Sequence, residues 1–94
     1  MAITPGQPTV PFDAAGVSSA PAESGVYAIC RADCGYIYFG EAADLRKRLS
    51  EHLADRNSRL HRAGAVFFAY ERYQSLGIRM ARLNKLVASY PTQC

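Results

Sequence analysis

Two runs of β-branched and aromatic residues, "GVYAIC" at 25–30 and "YIYF" at 36–39, flank the short link "RADCG". Runs of this length and composition read as strands. Asp33 and Gly35 suit a tight connection between them. The pair predicts an antiparallel hairpin, so the rest of the chain must pack on a sheet. Side chains alternate along a strand. Tyr27 and Ile29 therefore share one face, with Val26 and Ala28 on the other. The same count places Tyr36 and Tyr38 together, opposite Ile37 and Phe39.

After the hairpin the period changes. In "EAADLRKRLSEHLAD", Leu45, Leu49 and Leu53 recur at helical spacing. Asp44 is a natural N-cap for a helix starting at Leu45. Arg48 and His52 stand one turn apart beside that apolar stripe. "RNSRLHRAG" breaks the helix, and "AVFFAYERY" reads as a third strand. A second helix, "IRMARLNKLVASY", follows Gly77, with an expected core stripe of Met80, Leu83, Val87 and Tyr90 and a stop at Pro91. The expected fold is α/β of the α+β type: a small three-stranded antiparallel sheet flanked by helices, in the order β-β-α-β-α. Residues 1–24 hold four of the five prolines. They read as a Pro/Ala-rich N-terminal arm, with Phe12 and Val17 as points of attachment to a domain at 25–94.

Charge is spread unevenly. Residues 25–94 hold all eleven Lys and Arg against six of the eight acids, a balance of +5. An excess of this kind favours an anionic partner, nucleic acid first and a membrane surface second. Arg46, Lys47, Arg48, Arg56, Arg59 and Arg62 fall within 17 residues. Arg79, Arg82 and Lys85 continue along the second helix. Together they are candidates for a surface that follows a phosphate backbone. The plainer reading is a solvated helix face.

Three cysteines at irregular spacing (Cys30, Cys34, Cys94) do not make a disulfide framework. His52 and His61 lack the spacing of a zinc finger. The start "MAITPGQPTV" has no basic and apolar regions of a secretion signal. No apolar run approaches the ~20 residues that cross a bilayer. With reduced thiols, the expectation is a cytoplasmic protein without a membrane partner.

The two tripeptides carry more than a hairpin. "GVY" (Gly25, Val26, Tyr27), ten residues, then "YFG" (Tyr38, Phe39, Gly40) resembles the signature of the GIY-YIG nucleases. In that family an arginine follows eight residues after the second glycine, which here is Arg48. Many members have a histidine one turn later, which here is His52. Either tripeptide alone is a weak signal; both in register with Arg48 and His52 on a predicted helix make a specific one.

The resemblance implies hydrolysis of DNA phosphodiesters assisted by a divalent cation, Mg²⁺ or Mn²⁺. It implies that Tyr38 helps activate water, Tyr27 supports the site by hydrogen bonding, and Arg48 neutralises charge building on the phosphate. Gly25 and Gly40 belong to the same motif. DNA is the implied partner, contacted by Arg46, Lys47, Arg56, Arg59 and Arg62.

One part of the family pattern has no counterpart. A glutamate expected on the last helix falls at Leu83, and no Asp or Glu follows Glu71 anywhere. A hard cation is usually held by at least one carboxylate. The metal ligand is therefore unknown from sequence, with Glu41, directly after the second tripeptide, as the candidate. Glu41 also reads as an ordinary acid favouring the nearby helix N-terminus. The expectation is a GIY-YIG-type nuclease, weak or with a rearranged metal site. The alternative is a catalytically inactive nucleic-acid-binding or protein-interaction module on the same fold.

Overall fold

The computed structural model describes residues 9–31, 36–55 and 64–89. Its elements are β1 (Val10–Pro11), α1 (Ala14–Ser18), β2 (Gly25–Cys30), β3 (Tyr36–Ala42), α2 (Leu45–Ala54), β4 (Phe67–Arg72) and α3 (Leu76–Ser89). All strand pairs are antiparallel, in the order β1-β4-β2-β3. The expected β-β-α-β-α order runs from β2 to α3. The central strand β2 is buried along its whole length, as a strand covered on both faces must be.

The sheet has four strands rather than three, and the fourth comes from the segment expected to be an arm. Val10 and Pro11 pair with Phe68 and Phe67 at the sheet edge, where a proline's missing N–H is tolerated. Asp13 caps α1 by accepting from the Gly16 amide at 2.7 Å. Phe12, Val17 and Ala20 then enter the main core. A two-residue strand is too short to show a period, which is why the sequence does not reveal it.

Helix α2 forms where expected. The Asp44 carboxylate accepts from the Lys47 amide at 3.0 Å, and Leu45 and Leu49 are fully buried. The preceding segment satisfies two more first-turn donors: Leu45 N–H donates to the Glu23 carbonyl and Arg46 N–H to the Pro21 carbonyl.

Two expectations about side-chain direction need correction. The first concerns β3. Ile29 pairs with Tyr38 but Cys30 pairs with Tyr36, so Ile37 is the extra residue of a bulge. The bulge changes the parity of the strand. Tyr36 lies with Phe39 on the α3 side, while Ile37 joins the core on the α2 side beside Tyr38.

The second correction concerns α3. Its inward residues are Arg79, Arg82, Leu83 and Leu86. Met80 and Val87, expected in the core, are 39% and 55% exposed; Tyr90 and Pro91 lie outside the described residues. The cause is a row of acids. Glu41 and Glu71 both pair with Val26, from opposite sides, and so flank it on the face that α3 covers. Arg79 Nε donates to Glu41 at 3.0 Å. Arg82 grips Glu71 through Nε and Nη2 at 2.8 and 3.0 Å. The Tyr73 hydroxyl donates to the same carboxylate at 2.7 Å, which raises the Tyr73 pKa. Exposing an aliphatic side chain gives up about 1.5–3 kcal/mol. A charge buried without compensation costs several kcal/mol, so the ion pairs set the rotation of the helix. Glu71→Ala removes the acceptor shared by Arg82 and Tyr73. The urea unfolding midpoint is expected to fall, with a stability loss on the order of 3 kcal/mol.

Candidate active site

The α2 face of the sheet gathers the motif residues around one hydroxyl. The Tyr27 ring is buried on central β2. Its cross-strand neighbour is Gly40 of β3. A Cβ built on Gly40 would lie 2.6 Å from both Cζ and Oη of Tyr27. Gly40 is thus the space that the Tyr27 ring occupies.

Two residues along β3, Tyr38 faces the same way, with its ring centroid 6.0 Å from that of Tyr27. His52 comes down from α2. Its ring lies 5.7 Å from Tyr27 and 5.5 Å from Tyr38, centroid to centroid. His52 Nε2 is 2.8 Å from Tyr27 Oη. Arg48, one turn earlier, stands close enough to the same phenol to lower its pKa. The helical spacing of Arg48 and His52 brings both onto the tyrosine pair, as the motif reading expects.

Chemistry assigns the protons. A guanidinium only donates, so Arg48 can meet the Tyr27 oxygen only as a donor. The phenol's own proton is then available to His52 Nε2 in the neutral imidazole. Burial, then the neighbouring Tyr38, push the Tyr27 pKa well above the ordinary phenol value, against the opposing effect of Arg48. Tyr27 is therefore a neutral, fixed hydrogen-bonding group at physiological pH. Tyr38 is only half-buried.

The raised pKa has a consequence at alkaline pH. The unfolded chain releases the Tyr27 proton near pH 10 while the folded chain keeps it. Above about pH 10 the native state therefore binds more protons than the unfolded state, and stability falls as pH rises. Tyr27→Phe is expected to flatten that alkaline decline in urea midpoints measured from pH 8 to 11.

An open cleft of about 470 Å³ adjoins the cluster, lined by Glu41, Asp44, Lys47, Arg48 and Glu51 among others. Arg48 Nη1 reaches Glu51 Oε1 at 3.4 Å, with both side chains about half exposed. An exposed pair of this kind is weak, so Arg48 can exchange Glu51 for an arriving phosphate. Lys47 lines the same cleft. Arg46 does not: its Nε donates to the Ala20 carbonyl at 2.7 Å and ties down the N-terminal segment. Arg56, Arg59 and Arg62 lie outside the described residues. Arg79 and Arg82, read from sequence as bases on a phosphate-following face, turn inward to Glu41 and Glu71. The clue was present in their spacing with Leu83 and Leu86, which makes one helical face.

Comparison with known proteins agrees with this arrangement. The family model of the GIY-YIG catalytic domain matches residues 23–79, more than half of the chain. The chain belongs to the GIY-YIG family. Among solved structures, it is similar to the GIY-YIG N-terminal endonuclease domain of UvrC from Thermotoga maritima. A point mutant of that domain bound to its catalytic divalent cation matches with a TM-score of 0.71 and 23% identity, covering 82% of this chain and 87% of that one. The same domain bound to magnesium matches with a TM-score of 0.70 and 23% identity, covering 82% and 88%. At this identity the likeness is one of fold. A search of curated proteins finds no match.

The donor set of this GIY-YIG domain does not fit a resident divalent cation. Among the described residues, no three of His, Cys, Asp and Glu come together as a metal site. Glu41, the candidate ligand, is held through Oε2 by the nearly buried Arg79. Glu71 is engaged through both oxygens by Arg82. Among the described residues, no helix is long and apolar enough to cross a membrane.

Proposed function

We propose that this domain acts on DNA and hydrolyses phosphodiesters at the Tyr27–Tyr38–Arg48–His52 cluster. The observation that carries the reading is the convergence of two phenols, an imidazole and a guanidinium on one point, from β2, β3 and α2. Arg48 leaves Glu51 and donates its fork to the phosphate oxygens, where negative charge grows as water attacks. The water proton passes to the Tyr38 oxygen and the Tyr38 proton to Tyr27. The Tyr27 proton ends on His52 Nε2, while the P–O bond to the departing strand breaks and its oxygen takes a proton from solvent. An imidazole takes up a proton near neutrality, so neither phenol has to persist as an anion. Lys47, at the cleft wall, steers the polyanion.

The test is cleavage of supercoiled plasmid in Mg²⁺, in Mn²⁺ and in chelator, with Tyr38→Phe and Arg48→Ala beside the parent protein. Nicking that disappears in both variants supports the reading. Nicking that survives in both rejects it, since the activity then arises elsewhere.

A second reading, a nucleic-acid-binding domain without cleavage, is favoured by the arginines that engage Glu41 and Glu71. It expects salt-sensitive binding of intact DNA. Glu51 competes with phosphate for Arg48 under either reading. Glu51→Gln is expected to tighten DNA binding by about two- to fivefold at low salt, measured by fluorescence anisotropy.

A further inference from the structure

The row Glu41–Val26–Glu71 crosses three adjacent strands, and α3 answers it with two arginines one turn apart. The pairing is closely satisfied. Arg79 is 8% exposed, and its Nη1 also donates to the Gln74 carbonyl at 3.2 Å. Arg82 meets Glu71 as a two-pronged fork, the strongest geometry for this pair. Among the described residues no buried side-chain nitrogen or oxygen lacks a hydrogen-bond partner. A cation approaching Glu41 would compete with the Arg79 guanidinium, 3.0 Å from Oε2, and would meet Lys47 and Arg48 on the same cleft wall.

We infer that the domain engages DNA phosphates without a resident divalent cation. Positive charge fixed in the chain already engages Glu41 and Glu71, the carboxylates on the face that α3 covers. This rests on the proposed action on DNA and concerns how the phosphate is held. Arg48, exposed and only weakly held by Glu51, is the group that meets it. Arg79 and Arg82 remain on their carboxylates and keep α3 docked.

Two measurements on the full chain test this. The first is calorimetric titration of Mn²⁺ into the free protein. No saturable binding below the millimolar range is expected. Micromolar uptake that Glu41→Gln abolishes would overturn the inference. The second is anisotropy of a labelled DNA duplex at matched ionic strength, in EDTA and in Mg²⁺. Binding no tighter in Mg²⁺ than in EDTA, and weakened in both by Arg48→Ala, is expected. Affinity that collapses in EDTA overturns the inference even if the protein cleaves DNA. Absence of duplex binding in both buffers, with no Mn²⁺ uptake, removes the proposed action on DNA and this inference with it.

Discussion

Gly25→Ala is expected to cost about 3 kcal/mol or more of stability and to lower the melting temperature steeply. A Cβ on Gly25 would stand 2.0 Å from the Glu71 carbonyl oxygen, and 3.0 Å from the Arg72 Cα. These are backbone atoms of β4, locked in register with β2, so nothing flexible can move aside. Overpacking a well-packed interior costs about 1–3 kcal/mol and occasionally more. Here the strands themselves must part, which puts the loss at or beyond the upper end. A domain of this size carries roughly 5–14 kcal/mol in total. Circular dichroism melts should show the loss directly.

Gly40→Ala gives the contrast. There the added carbon meets the outer atoms of the Tyr27 and Tyr38 rings, all side-chain atoms. The rings can swing, so the melting temperature should fall less. The phenol that His52 and Arg48 share would be displaced, and activity should fall more than stability. A Gly40→Ala protein that unfolds as readily as Gly25→Ala would contradict this account of the motif's second glycine.

Arg48→Ala is expected to lower cleavage by at least about a hundredfold while leaving the melting temperature close to that of the parent. Removing one donor aimed at developing charge typically costs about 10²–10³ in rate, and the lost donor here is charged. The stability side follows from exposure. The Arg48 side chain is 47% accessible and its partner Glu51 52%, so the pair contributes little to folding. Its Tyr27 contact also fixes the phenol, so Arg48→Lys should recover only part of the activity. An ammonium supplies the charge but not the planar fork. Single-turnover cleavage across a salt series would read both variants. Equal loss in stability and rate would mean that Arg48 is structural.

The candidate cluster was legible in the sequence through the resemblance to the GIY-YIG signature, with the hairpin and helix spacing keeping its members in register. Tyr27 and Tyr38 sit on a hairpin, and Arg48 and His52 are one turn apart on the next helix. The docking of that helix on the hairpin joins residues 25 apart, such as Tyr27 and His52, and came from the resemblance rather than from periodicity. What was not legible depends on contacts between distant segments. Nothing near Val10 announces that it pairs with Phe68. The bulge at Ile37 reverses the facing of Tyr36 without any turn residue to mark it. The rotation of α3 was misread because periodicity weighs hydrophobicity alone. Glu41 and Glu71 lie well before Arg79 and Arg82 in the chain, and only the sheet register sets them opposite that helix. Arg46, read as a phosphate contact, is claimed by the Ala20 carbonyl from the far end of the chain.

The carbonyls of Pro21 and Glu23 cap the first turn of α2, so the helix that carries Arg48 and His52 is seated on the segment before the motif. The family pattern begins at residue 23, but the packed elements already include β1 at Val10–Pro11 and α1 at Ala14–Ser18. A protein trimmed to the shared pattern would keep every residue of the cluster and the Glu23 carbonyl, but lose the Pro21 and Ala20 carbonyls that hold Arg46 at the start of α2. The boundary of what relatives share and the boundary of what must be built together are different lines in this chain.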